Sequence, residues 1–239
     1  MSGHSKWSTI KRAKAITDAK RGAVFTKLAN AITLAAKNGG DPEMNPSLKM
    51  AIDKAKGSNM PKDNVERAIK KGTGELEGAQ VEELYYEGIG PVNIQFIVKC
   101  LSDNKNRTAS TVRHTFTKIG GSLGSVMWNF TQMGVIRIGG EAIKEKNINT
   151  EELELELIDH GIIDFESEEE GVTVYTDPKD LHKMKEALES KELKTESVEL
   201  EYVPKEKAEL SDSDREKVDR FMEELEDNED VSDYYTNLK

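Results

Sequence analysis

Apolar positions recur at helical intervals through the first third of the chain and then switch to alternation. Residues 6–20 place Trp7, Ile10, Ala13, Ile16 and Ala19 on a narrow face before Gly22, which predicts a weak helix that orders on a partner. Residues 23–37 carry a fuller stripe, Val24, Phe25, Leu28, Ile32 and Ala35, ended by Asn38-Gly39-Gly40. Asn45-Pro46 reads as a cap followed by a first-turn proline, opening a helix to Lys56 with Leu48, Ala51, Ile52 and Ala55 inward. Pro61 opens the next, with Val65, Ala68 and Ile69 inward and Gly72 as its stop, and residues 75–80 read as a linker.

From there the period is two. Residues 81–87 and 92–101 read as strands around a Gly88-Ile89-Gly90-Pro91 turn, with Val92, Ile94, Phe96, Val98 and Cys100 on one apolar face. Turn and cap chemistry at residues 103–106 leads into a helix to Ile119, with Val112, Phe116 and Ile119 inward, and residues 125–130 return as a strand. Beyond it the pattern predicts strand 134–138, helix 150–160, strands 162–167 and 171–176, helix 178–190 and strand 193–203. Residues 152–157 alternate Glu and Leu and also fit a strand. Leu153, Leu157 and Ile158 at helical spacing, with Gly161 following, favour the helix. The order βαββαβ is that of a ferredoxin-like split unit. A last helix is predicted over 212–227 with Val218, Phe221, Met222 and Leu225 inward, followed by a loose tail. The class is α+β: an N-terminal helical bundle, then two α/β domains.

Charge divides the chain along the same lines. The 239 residues carry a net charge of −11. Residues 1–74 hold 15 Lys and Arg against 6 Asp and Glu, a net of +9, and residues 91–138 reach +5. Between them residues 75–90 hold five Glu and no base, and residues 139–239 stand at −20. Phosphates are attracted to residues 1–74 and 91–138 and repelled by the two acidic stretches. The acidic stretch cannot lie along a phosphate backbone; it is expected to face a basic protein surface, to shield against nonspecific binding or to set geometry. The single cysteine, Cys100, lies in an apolar run and suits a reducing cytosol. No apolar run approaches the roughly 20 residues of a membrane span, and the basic N-terminus lacks the apolar stretch of a signal peptide.

Motifs for catalysis are weak. Residues 72–78 superficially look like a dinucleotide loop, but the spacing is one residue too long, no strand precedes it and two glutamates would repel a pyrophosphate. His4, His114, His160 and His182 show no metal-ligand spacing, and no strand–turn–helix elbow presents a serine. Neither catalytic residues, nor a metal, nor a cofactor is expected. Two stretches suit phosphate instead. Residues 1–22 carry Lys6, Lys11, Arg12, Lys14, Lys20 and Arg21 around Trp7, a pattern for phosphate contact with base stacking. Within helix 107–119, Arg107, Ser110, Thr111, His114 and Lys118 form a polar, cationic stripe opposite Val112 and Phe116. An ordinary solvated face accounts for that stripe about as well.

The blocks MSGHSKWSTIKRAKAITDAKRGAVFTKLANAI, AAKNGGDPEMNPSLKMAIDKAK, NMPKDNVERAIKKGTG, YEGIGP, LSDNKNRTASTVRHTFTKIGG and VTVYTDPKDL strongly resemble the YebC/PmpR family over nearly the whole chain. The resemblance implies domains at residues 1–75, 76–133 with 205–239, and 134–204, the last helix packing back on the middle domain. It implies a cytoplasmic, non-enzymatic regulator of gene expression that binds DNA. The alternative is a translation factor that binds ribosomal or transfer RNA on the ribosome and assists proline-rich synthesis. An enzyme on a phosphate-bearing substrate is a third, weaker reading. No membrane and no small-molecule substrate are implied. The contact residues carried over are Lys6, Trp7, Lys11, Arg12, Lys14, Lys20, Arg21, Asn104, Arg107, Arg113, His114 and Lys118. Two loops depart from the family pattern, at Pro91-Val92-Asn93 and at residues 121–125.

Overall fold

The structure is a computed structural model in which Trp7, residues 21–78 and residues 80–239 are described. The helix expected over residues 6–20 therefore lies outside the described residues, apart from Trp7. Contacts divide the chain into two compact units. One contains residues 21–126 and 211–234; the other contains residues 127–210 and 235–239, with Trp7.

The first unit begins with three helices, α1 (Arg21–Ala36), α2 (Pro46–Gly57) and α3 (Lys62–Thr73). Their core is Leu28, Ile32, Ala36, Leu48, Ile52 and Ala55, with Val65 and Ala68 from α3. Asn45 makes the junction. Its side-chain oxygen accepts from Leu48 N (3.1 Å), capping α2, while its amide donates to Ala35 O and Gly39 O (both 2.8 Å) at the end of α1. Gly72 does not stop α3 as expected. The helix runs on to Thr73 and ends at Gly74, which holds φ +83°. Gly72 is instead where α3 presses on α1: a Cβ there would lie 2.4 Å from Thr33 O and 2.6 Å from Ala36 Cβ.

A four-stranded sheet follows in the order β3-β1-β2-β8, from β1 (Glu82–Ile89), β2 (Gln95–Ser102), β3 (Ser122–Leu123) and β8 (Val231–Thr236). β1 pairs antiparallel with β2 from Glu82↔Ser102 to Ile89↔Gln95, so Gly88 and Ile89 belong to the strand and the turn comes later. β2 is not one-sided: Ile97 and Leu101 are buried as well as Phe96, Val98 and Cys100. Burial pushes the Cys100 thiol up to about 12. Helices α4 (Lys105–Lys118) and α8 (Asp212–Asp227) meet over the sheet through Phe96, Phe116 and Phe221. On α8, Val218, Phe221, Met222 and Leu225 are all fully buried, as the spacing predicts. Lys27 of α1 donates to the carbonyl of Glu226 in the last turn of α8. Burial lowers the pKa of Lys27, against an opposing pull from Glu226, Asp227 and Asp233.

In the second unit the chain runs β4 (Phe130–Gly139), α5 (Gly140–Glu145), α6 (Thr150–Asp159), β5 (Asp164–Glu168), β6 (Gly171–Thr176), α7 (Leu181–Ser190) and β7 (Thr195–Pro204). The strands pair antiparallel in the order β5-β6-β4-β7, the arrangement of a ferredoxin-like βαββαβ unit. Three expectations are corrected. Residues 125–129 form no strand; a 3-10 turn at Met127–Asn129 precedes β4, which takes in Phe130 and is one ten-residue strand because it pairs with β7 from Phe130↔Pro204 onward. Residues 152–157 are helical, but Ile158 is more than half exposed and the inward pair is Leu153 and Leu157. Nor is the tail loose. Val231 and Tyr234 are buried, and Ala208 bridges to Leu238, with Ala208 N donating to Asn237 O at 2.7 Å. A strand with no partner nearby in sequence gives no local signal of its pairing.

Candidate nucleic-acid interface

Helix α4 presents the candidate site. Asn104 caps it, its side-chain oxygen accepting from Arg107 N at 3.0 Å. Thr108, Val112, Thr115 and Phe116 turn inward and the opposite face is polar. The structure separates the cations of that face into two kinds. Arg107 and Lys118 are occupied within the chain. Arg107 donates through Nη2 to Asp230 Oδ1 (3.0 Å) and Ser102 Oγ (3.1 Å), and lies 3.4 Å from Asp103 Oδ1. Thr108 Oγ1 donates to Asp230 Oδ2 at 2.8 Å, and Leu101 N donates to Asp230 O at 2.8 Å. These bonds fasten the residue before β8 to α4 and to the end of β2. Hydrogen bonding to Asp230, and its charge, raise the pKa of Arg107. Lys118 lies 2.8 Å from Glu224 of α8.

Arg113 and His114 are of the second kind. Both are exposed, and neither side chain has a hydrogen-bond or ion-pair partner among the described residues. A further group joins them from α3. Lys71 lies 3.8 Å from Asp103, which brings the end of α3 to the start of α4. Arg67 and Lys70, spaced as helical neighbours of Lys71, are exposed and also without a side-chain partner among the described residues. The sequence reading missed them. Bases in a last helical turn look like ordinary partners of the helix dipole; their i, i+3, i+4 spacing opposite Val65 and Ala68 was the available signal.

The N-terminal candidates fare differently. Lys6, Lys11, Arg12, Lys14 and Lys20 lie outside the described residues, and of Arg21 only the helical backbone is described. Trp7 is 2% exposed. Its ring atom Cη2 would lie 3.0 Å from a Cβ on Gly171. In this arrangement the indole does not face solvent, contrary to its expected use as a stacking platform. No group of three His, Cys, Asp or Glu that could hold a metal occurs among the described residues, and no helix among them is long and apolar enough to cross a membrane.

Two family models together match almost the whole chain: the TACO1/YebC protein N-terminal domain over residues 5–75, and the TACO1/YebC second and third domain over residues 81–238. The chain belongs to the TACO1/YebC family. Among its relatives, a probable transcriptional regulatory protein of Thermoanaerobacter pseudethanolicus is 46% identical over 243 residues, covering 100% of this chain and 97% of its own. Proteins of the same description from Geobacter sulfurreducens (47% over 242 residues, 100% and 96%) and Chlorobaculum parvum (48% over 243 residues, 100% and 95%) match as well. The crystal structure of a conserved hypothetical protein from Aquifex aeolicus superposes with a TM-score of 0.82 at 40% identity, covering 94% of this chain and 93% of that one.

In this TACO1/YebC chain the second departing loop packs on the end of β1, just ahead of the first. A Cβ on Gly121 would lie 2.5 Å from Ile89 O and 3.2 Å from Gly90 Cα, so a side chain there has no room. Between β1 and β2, Val92 (φ 50°, ψ 34°) and Asn93 (φ 62°) both hold the left-handed conformation. Asn tolerates it, but a β-branched residue is strained there. The turn is held by Gly90 N donating to Ile94 O (2.7 Å) and Ile94 N to Pro91 O (3.1 Å), with Pro91 buried.

Proposed function

We propose that this protein is a non-enzymatic, cytoplasmic regulator of gene expression that binds nucleic acid, acting as a DNA-binding transcriptional regulator. It uses no cofactor and no small-molecule substrate. The observation that carries the reading is the segregation of charge, +9 over residues 1–74 against −20 over residues 139–239, in a chain whose full-length relatives bear the name probable transcriptional regulatory protein. Arg67, Lys70, Arg113 and His114, exposed and without a side-chain partner among the described residues, support it as the side chains able to meet phosphate. Asn104, Arg107 and Lys118 assist by holding α4 in place, and the N-terminal stretch adds Lys6, Lys11, Arg12, Lys14, Lys20 and, at the start of α1, Arg21. We keep the three-domain division at residues 1–75, 76–133 with 205–239, and 134–204 as part of this proposal. It is supported by the break between the two family matches and by the pairing of β8 in the sheet of β1 and β2.

Competition binding at about 150 mM salt tests the reading. A transcriptional regulator should prefer one promoter fragment over random duplex by about a thousand-fold or more. Arg113→Gln should lower the log–log salt slope by roughly 1 and leave stability unchanged. Arg107→Gln should act mainly on stability, through Asp230. If every duplex competes equally and ribosomes capture the protein, the DNA reading is lost and a ribosome-associated translation factor takes its place.

A further inference from the structure

The acidic sheet has a second face. Alternation along β4 and β6 turns Ile136, Ile138, Val172 and Val174 into the core beneath the helices. The register then puts Val135, Arg137, Thr173 and Tyr175 on the other side, alongside Glu201 of β7 and Glu166 and Glu168 of β5. With its helices on one side, a four-stranded antiparallel sheet ordinarily leaves the other to water. This one does not: Val135 is 0% exposed, Arg137 4%, Thr173 1% and Tyr175 4%.

Some of the carboxylates on this face are satisfied locally. Arg137 forms a two-pronged pair with Glu201 (2.5 and 2.9 Å), and Glu166 accepts from Lys207 (2.6 Å) and Tyr175 (2.7 Å). Glu168 is different. Both its oxygens are buried and neither has a hydrogen-bond partner. A buried carboxylate without a cation or donor is costly. Glu168 stands directly opposite Gly171 in the β5–β6 ladder, and Gly171 is the residue against which Trp7 is buried. The Trp7 Nε1–H is likewise buried without a partner. Trp7 is described where an acidic face is covered, and the cations near it in sequence are Lys6, Lys11, Arg12 and Lys14.

We propose that the second face of the acidic sheet is the docking surface for the chain's own basic N-terminal segment, residues 6–14, anchored by Trp7 at Gly171 and held by cations that meet Glu168 and its neighbours. The occupant is argued from charge complementarity and from the one residue of that segment already seated there. Gly171 makes the seat. Its φ of +150° and the 2.1 Å that would separate a Cβ from Ile138 O exclude a side chain, leaving bare backbone beside the indole. A consequence rests on the nucleic-acid reading above: the same cations cannot serve Glu168 and a phosphate at once. The acidic unit therefore competes with nucleic acid for the segment and shields it from nonspecific binding.

The full-length chain carries two tryptophans, and Trp128 is 61% exposed, so Trp128→Phe leaves Trp7 as the only indole reporter. At low salt Trp7 should be quenched by acrylamide several-fold less than free tryptophan amide. Quenching should rise in 1 M salt, where the screening length falls to about 3 Å, and should rise at low salt in Glu168→Lys with the circular dichroism unchanged. If Glu168→Lys does not fold, Glu168→Gln gives the same readout. Trp7 as accessible as the free amide at low salt overturns the docking. So does a Trp7 that stays protected at every salt concentration and in the Glu168 variants, because it is then an ordinary core residue. In the same variants, random duplex should bind several-fold more tightly. Release of Trp7 without any gain in duplex affinity leaves the docking in place and defeats the nucleic-acid reading of the segment.

Discussion

Phe221→Ala puts the packing of α8 to a quantitative test. Phe221 is fully buried, with its ring centroid 4.8 Å from Phe96 at 89° and 4.9 Å from Phe116 at 71°. Truncating a buried Phe costs about 3–5 kcal/mol, and an edge-to-face pair contributes about 0.5–1.5 kcal/mol beyond area. With two such pairs lost and little freedom for the sheet to collapse into the space, the cost belongs near the upper half of the range, about 4 kcal/mol. Collapse is hindered because the site is tight: a Cβ on Gly90 would lie 2.7 Å from the Phe96 ring and 3.1 Å from that of Phe221. Amide hydrogen exchange along β2 reads the loss directly in the unit that contains α8. Protection of Phe96, Val98 and Cys100 should fall by about three orders of magnitude, at about 1.4 kcal/mol per tenfold. Combining it with Phe116→Ala should show a coupling of about 0.5–1.5 kcal/mol. A fall of less than tenfold would refute the idea that α8 closes this core, and strict additivity would refute the aromatic contact.

Gly72→Ala should destabilise the helical bundle by about 1–3 kcal/mol by overpacking against Thr33 O and Ala36, although alanine is the better helix former; a stabilised variant would mean α1 and α3 can separate freely. For Glu166, burial pushes the pKa up, but the bonds from Lys207 and Tyr175 outweigh it and the net shift is downward. A depressed carboxylate contributes stability that is present above its unfolded pKa, near 4.5, and is lost as pH falls through the folded value. Lys207→Met should therefore flatten the loss of stability between neutral and acid pH in urea titrations, and an unchanged pH profile would refute the contribution.

Much of the fold is legible locally because its determinants lie within a few residues of each other. Asn45-Pro46 caps and opens α2, Asn104 caps α4, and the spacing of Val218, Phe221, Met222 and Leu225 selects the buried face of α8. The alternation of β6 and the order of strands and helices after residue 130 specify the ferredoxin-like sheet, since period and connectivity are properties of the chain itself. The separation of basic and acidic regions is likewise a matter of counting.

Tertiary structure decided what depends on a partner far away in sequence. Gly72 lies inside a helix because Thr33 and Ala36 come too close for a side chain, not because the helix must stop there. The tail is a strand because β2 offers it an edge. Arg107 and Lys118 look like free cations on a helical wheel, yet Asp230 and Glu224 neutralise them across more than a hundred residues, leaving Arg113 and His114 exposed. Trp7 beside a lysine suggests a ring offered to a base; the structure buries it at Gly171. Periodicity and caps are enforced by bonds spanning one helical turn or one strand, so the sequence states them. Ion pairing and burial depend on which surfaces the folded chain brings together, and only the fold supplies those.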